Sequence, residues 1–281
     1  MIIDYNCPLS SYSSISLGGD CEGYFPETDK EMIRLILEFE EQGVSYIVVG
    51  NMSNILPTDT RAESKVVFCK KLSSYAIKGN QITLSCGVRF SPVVHMLQRD
   101  MKMFYPSLVG IPGTVGGMVC QNASCFDDEI ASAFLRCTLL SLTDKRIIQL
   151  NREEMRFSYR SSILKDKRFI LLDATFSLHD GDARSIMRCA IEKRKTVMPE
   201  GPSLGSVFLR ENGISIGYLL DKLGQKGRKF GGIAISEKHA GILINQNKGT
   251  ATDFKNAVSV LSNLIYQNFG FIPKPEVEYL K

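Results

Sequence analysis

Two runs of small residues constrain this chain more than any other feature. The first, Gly50-Asn51-Met52-Ser53-Asn54, follows directly on residues 44–49, which read as a short buried strand. The second is Gly110-Ile111-Pro112-Gly113-Thr114-Val115-Gly116-Gly117, where Thr114 adds a hydroxyl. A backbone with little side-chain bulk can come close to a ligand, and its N–H groups can then hold a diphosphate. Neither run is a Gly-x-x-x-x-Gly-Lys-Ser/Thr loop, nor a Gly-x-Gly-x-x-Gly following a strand. Each alone reads equally well as a structural loop. Two in one chain point toward a large phosphate-containing cofactor.

The elements around these turns mix strand and helix. Residues 28–43 read as a helix, with Thr28 as cap, Glu31 completing a capping box, and Met32, Ile33, Leu35, Ile36 and Phe39 on one side. Short strands are expected at 65–69, 75–78, 82–86, 138–142, 147–150 and 169–176, with Gly79-Asn80 as a hairpin turn. Helices are expected at 92–101, 215–223 and, most strongly, 252–269, which Gly270 stops. The mixture places the chain in the α+β class. With 281 residues it is near the size at which one core stops growing, so two or three subdomains are expected.

Composition excludes several classes. Apolar residues make up 44% and charged ones 23%, which suits a packed chain. The net charge of +4 is small, and Lys and Arg are spread out, so nucleic acid is not an expected partner. No stretch approaches the roughly 18 apolar residues of a membrane span, and residues 1–7 lack the pattern of a secretory signal. A cytoplasmic protein follows, with its 8 cysteines reduced. No Cys-x-x-Cys pair occurs, and the histidines are far apart in sequence, so no metal is expected. We expect a monomer.

From the two turns onward the sequence resembles the UDP-N-acetylenolpyruvoylglucosamine reductases. Residues 50–54 resemble that family's Gly-x-Gly-Ser-Asn loop, and residues 110–117 match its Gly-Ile-Pro-Gly-Thr-Val-Gly-Gly. Ser13-Ser14-Ile15-Ser16-Leu17-Gly18-Gly19 loosely resembles Asn-Thr-Phe-Arg-Ile-Gly-Gly, and Asn122-Ala123 with Glu129-Ile130 keeps the downstream spacing. Tyr159-Arg160-Ser161-Ser162, Pro202-Ser203-Leu204-Gly205-Ser206-Val207-Phe208, Leu223-Gly224, Gly231-Gly232, Ser236-Glu237-Lys238-His239-Ala240, Ile244-Asn245 and Pro275-Glu276-Val277 follow in the family's order. The chain is short and resembles the compact subgroup.

The resemblance implies a two-part FAD-binding region (a PCMH-type flavin fold), residues 1–62 and 63–183, and a smaller α/β substrate-binding domain, 184–271. Residues 272–281 form a tail that returns to the active site. It implies bound FAD, NADPH as co-substrate and UDP-N-acetylglucosamine enolpyruvate as the molecule reduced. By resemblance Ser206 is the proton donor, while Arg160 and Glu276 stabilise the enolate formed after hydride addition. A guanidinium suits this because it grips a carboxylate through two parallel hydrogen bonds. Glu276 must be protonated to donate, so surroundings that raise its pKa are expected. Cofactor contacts are expected from Gly50, Asn51, Met52, Ser53, Asn54, Gly110, Ile111, Pro112, Gly113, Thr114, Gly116, Gly117, Asn122, Ala123 and Arg194. Substrate contacts are expected from Tyr159, Lys226, Lys238 and Asn245, and His239 reads as structural. On pattern alone, Arg160, Ser206 and Glu276 read as a surface strand residue, a turn serine and a solvent-facing tail residue.

The chain departs from the family in places. Met52 stands where glycine is usual, and a side chain there would strain a positive-φ turn and crowd a diphosphate. Ser16 replaces an arginine, and Asn122-Ala123-Ser124-Cys125-Phe126-Asp127 loses two glycines. Phe208-Leu209-Arg210-Glu211 and Glu278 also differ. Two other readings stay open on sequence. One is an FAD oxidase of the wider fold group, and the other is a relative that binds a nucleotide without turnover.

Overall fold

The helix over Asp29–Gln42 shows how local sequence builds this chain. Met32, Leu35, Ile36 and Phe39 recur at helical spacing and are all buried. The Thr28 hydroxyl accepts the Glu31 N–H at 3.2 Å, and Gly43, at φ 65°, turns the chain out of the helix. The Glu31 side chain does not close the expected capping box. Its carboxylate instead accepts the Glu27 N–H at 2.9 Å and the Met1 amino group at 2.8 Å.

The computed structural model describes all residues except Asp127, Asn247 and Lys281. Asp127 ends the departing segment 122–127 and Lys281 ends the tail, so both lie outside the described residues. The chain forms two compact units. One comprises Met1–Asp4, Gly23–Asn51 and Lys65–Lys193, and the other Tyr5–Glu22, Met52–Ser64 and Arg194–Lys281.

In the first unit a parallel ladder runs through Lys65–Phe68. Gly23 lies opposite Val66 on one side and Ile47 opposite it on the other. Val66, Val67 and Phe68 are wholly buried, as a covered parallel strand requires. The neighbouring strand Tyr46–Val49 ends at Gly50, so the ladder delivers the first turn at a strand's carboxyl end. A second sheet is antiparallel, in the order Arg146–Asn151, Phe134–Ser141, Phe169–Ser177, Gln81–Ser85, Tyr75–Lys78. Phe134 and Phe176 meet edge-on at 5.7 Å in the core behind it. The helix Phe90–Arg99 starts earlier than expected because the Phe90 N–H donates to the Gly113 carbonyl, which holds its first turn. The second glycine run contains a short helix, Val115–Cys120, that its glycines conceal in sequence. The helix Arg184–Val197 is also absent from the sequence reading. It buries Met187 and Ala190, too narrow an apolar stripe to signal a helix.

In the second unit an antiparallel sheet runs Ser203–Ser206, Ile242–Asn245, Ile233–Ile235, Lys229–Phe230. The helices Ile216–Lys222 and Ala251–Phe269 contribute Leu220, Phe254, Leu261 and Ile265 to its core, with Ile15, Leu17 and Leu56 from earlier chain segments. Thr250 and Asp253 form a reciprocal capping box at the start of the long helix. The tail strand Glu278–Tyr279 pairs parallel with Ile55–Leu56. Among the described residues no helix is long and apolar enough to cross a membrane.

Candidate active site

Within the first unit the two glycine-bearing turns meet. The Asn51 amide donates to the Pro112 carbonyl at 2.9 Å. A Cβ on Gly50 would lie 2.1 Å from the Thr114 hydroxyl, so no other residue fits there without moving the second turn. Thr114 is itself buried, and its hydroxyl accepts the Gly117 N–H at 3.4 Å. Internal bonds fix the second run. Gly110 N–H donates to the Ser91 hydroxyl at 2.8 Å, Val115 N–H to Val88, and Gly116 N–H to Cys86. The committed amides set the loop's shape, and residues 110–113 form its cleft-facing side.

Beside that side lies a cleft of about 580 Å³, lined by Asn51 and residues 110–113 together with Arg89, His95 and Arg99. Among the described residues two guanidinium groups and no carboxylate line it, so its field suits an anion. Its size lies within the range of nucleotide and cofactor pockets. This arrangement fits the diphosphate-bearing end of a flavin dinucleotide. Sequence reading missed Arg89, His95 and Arg99. They lie at and along the solvent side of an amphipathic helix, where charges ordinarily read as solvated.

Met52 belongs to the second unit. Its φ is 46°, the left-handed conformation expected of the family's glycine. Its side chain is 2% exposed, so it packs into the interior and does not project into an open cradle. Its carbonyl accepts the Ser14 N–H at 3.5 Å.

Asn54 engages the tail through both its side chain and its backbone. Its amide donates to the Glu276 carbonyl at 3.0 Å, and its own carbonyl accepts the Glu278 N–H at 3.0 Å. The tail is therefore held at Glu276 by the Asn54 side chain and at Glu278 by the Asn54 backbone carbonyl. The Glu276 N–H donates to the Val207 carbonyl at 2.7 Å, and Phe208 forms a bridge with Pro275. Ser206 and Glu276, 70 positions apart in sequence (276 − 206), are thus held on adjoining backbone. Gly205, at φ 74°, and the register shift between Ser203 and Ser206 turn the serine outward, where it is exposed.

Arg160 lies in the first unit on a tight turn. Ser158 and Ser161 exchange both backbone bonds at 3.1 Å, and Arg160 sits at φ 53°. Its guanidinium Nη1 donates to the Ser124 hydroxyl at 3.2 Å and the Ser124 carbonyl at 3.3 Å, and the group lies 5.7 Å from the Tyr159 ring centre. The buried Asn122 donates to the Ser158 carbonyl at 3.1 Å and accepts the Ala131 N–H at 3.0 Å. Ala123 is buried, with its N–H on Met118. The side chain of Asn122 thus holds the arginine turn.

The remaining expected contacts are engaged inside the second unit. Lys226 is paired with Asp221 at 2.8 Å and Lys238 with Glu200 at 3.2 Å. Asn245 donates to the carbonyls of Ile15 and Ser16 and accepts the Gly249 N–H, which fixes the 13–19 segment. His239 accepts the Gly241 N–H on Nδ1 at 3.0 Å; burial, with Lys226 nearby, pushes its pKa below the usual value. Arg194 is half-buried in the last turn of Arg184–Val197. Ser53 is half-buried.

Comparison with known proteins defines first the class. Residues 24–151 match the FAD binding domain model, and residues 197–280 match the C-terminal domain model of UDP-N-acetylenolpyruvoylglucosamine reductase. The chain is therefore a flavoprotein oxidoreductase of α+β fold. The UDP-N-acetylenolpyruvoylglucosamine reductase of Caldicellulosiruptor bescii is 35% identical over 97% of this chain and 89% of its own. That of Lactococcus lactis subsp. cremoris is 30% identical over 100% of this chain and 95% of its own. The crystal structure of the Thermus caldophilus enzyme superposes with a TM-score of 0.85 at 26% identity, covering all of both chains. The chain belongs to the UDP-N-acetylenolpyruvoylglucosamine reductase family.

Proposed function

We propose that this chain reduces UDP-N-acetylglucosamine enolpyruvate to UDP-N-acetylmuramate with NADPH, a step in making peptidoglycan precursors. The observation that carries the residue roles is the Glu276 N–H on the Val207 carbonyl, which fixes a carboxyl-bearing residue beside Ser206. The cationic cleft beside residues 110–113 supports binding of the FAD diphosphate, with Gly50, Asn51 and Thr114 shaping the loop.

Bound FAD supplies hydride transfer from NADPH to the enolpyruvyl double bond. The chain's own residues do the rest. Arg160 holds the carboxylate that becomes an enolate, through paired N–H donors. Glu276, protonated, donates a further hydrogen bond to that charge, and each such donor is worth about 3 kcal/mol in a pre-set site. Ser206 Oγ–H gives its proton to the carbon next to the one that received hydride, which completes the reduction. Tyr159 and Lys226 or Lys238 contact the sugar nucleotide, the lysines by exchanging their carboxylate partners for phosphate. Residues 1–62 and 63–183 serve the cofactor and 184–271 the substrate. The protein works as a cytoplasmic monomer without nucleic acid or membrane.

The test is NADPH oxidation by FAD-loaded protein, with and without the enolpyruvyl UDP-sugar. Substrate-dependent oxidation is expected. Folded, flavin-loaded protein that oxidises NADPH no faster with substrate would overturn the assignment.

A further inference from the structure

Ser124 breaks the family's pattern, and it also touches Arg160, the arginine assigned above to the substrate carboxylate. The Arg160 guanidinium cannot act on a carboxylate unless its plane is set, because two parallel hydrogen bonds demand one orientation. A long side chain on an exposed turn would otherwise sample many rotamers. Here Nη1 is held twice by one residue, by the Ser124 hydroxyl at 3.2 Å and the Ser124 carbonyl at 3.3 Å.

The rest of the turn is braced from the same stretch of chain. The Asn122 amide donates to the Ser158 carbonyl at 3.1 Å, and the buried Ser162 hydroxyl donates to the Cys120 carbonyl at 3.0 Å. These bonds fix the backbone on either side of Arg160. Ser124 lies on Ser124–Cys125, paired antiparallel with Asp128–Glu129, so its own position is set by a hairpin. Backbone and guanidinium are thus gripped from one segment, residues 120–124, by the Asn122 and Ser124 side chains and by the Cys120 and Ser124 carbonyls. A glycine at 124 would leave the carbonyl contact and remove the hydroxyl.

We propose that Ser124 is a positioning residue of this enzyme, whose hydroxyl orients the Arg160 guanidinium for the substrate carboxylate. The inference rests on the role given to Arg160 above. It predicts an effect confined to the substrate half of the reaction, since reduction of the flavin by NADPH needs no grip on the enolpyruvyl carboxylate.

The test compares Ser124→Ala and Ser124→Thr with the parent, all FAD-loaded, in two rapid-mixing measurements. Flavin reduction by NADPH is followed first, and reoxidation of the reduced flavin by the enolpyruvyl UDP-sugar second. For Ser124→Ala, reoxidation should slow by about tenfold, the scale of a misplaced group, with flavin reduction within twofold of the parent. Ser124→Thr, which restores the hydroxyl on a strand that tolerates branching, should recover most of the loss. In an Arg160→Ala background the Ser124→Ala change should add less than twofold, because its target is gone. Three results would overturn the proposal: unchanged reoxidation in Ser124→Ala, equal loss in both half-reactions, or a full additional loss without Arg160. A parent protein whose reduced flavin the substrate cannot reoxidise would instead overturn the functional assignment on which the proposal stands.

Discussion

Met52 combines a left-handed backbone with an interior side chain, so one residue carries a strain cost and a burial gain. A non-glycine residue in that conformation costs about 1–2 kcal/mol, and removing a buried methionine costs about 2–5. Met52→Gly should therefore lower stability by roughly 2 kcal/mol net, read from denaturant unfolding. FAD affinity, measured by flavin fluorescence quenching, should stay within threefold, because the side chain does not face the cradle. A large gain in affinity would show that methionine does crowd the cofactor. Ser206 offers a separate test. Ser206→Ala should leave flavin reduction by NADPH near the parent rate while product formation falls by about a hundredfold or more. Equal loss in both steps would remove its role as proton donor. Residue identities at these positions were readable from the ordered motifs. Their surroundings were not, because a single sequence does not say that position 52 points inward or that position 124 meets position 160.

At the scale of elements, legibility followed local physics. The helix Asp29–Gln42 announced itself through its cap, its apolar spacing and its terminal glycine. The hairpin at Gly79-Asn80 did so through its turn residues. Val115–Cys120 stayed hidden because glycines lower helix propensity, and its stability comes from a Thr114 cap and buried Val115, Met118 and Val119. The strand pairing of Glu278–Tyr279 with Ile55–Leu56 was unreadable for another reason. Parallel partners far apart in sequence share no local signal. Asn54 holds the carbonyl of the tail residue just before that pairing. Asn54→Ala should cost about 1 kcal/mol of stability, one internal hydrogen bond, read from denaturant melts. The rate of reduced-flavin reoxidation should fall by about tenfold as Glu276 loosens, with flavin reduction unaffected. A drop in FAD affinity with normal reoxidation would return Asn54 to the cofactor side.

At the scale of the whole molecule, the second unit is assembled from three separate stretches, Tyr5–Glu22, Met52–Ser64 and Arg194–Lys281. Its core takes Ile15, Leu17 and Leu56 from the first two, each no more than 4% exposed. Each such side chain contributes about 1.5–3 kcal/mol, so their loss approaches the roughly 5–15 kcal/mol that holds a domain together. A fragment of residues 194–281 should therefore show no cooperative thermal transition by circular dichroism, although one of the matching family models covers nearly the same span. A sharp melt in that fragment would contradict this. The same arrangement sets the rules for engineering. The C-terminal region is not a cassette that can be exchanged between relatives at a single splice point. A working chimera has to carry over all three stretches together, and crossovers that respect the boundaries of the matched models would cut through the hydrophobic interior they are meant to preserve.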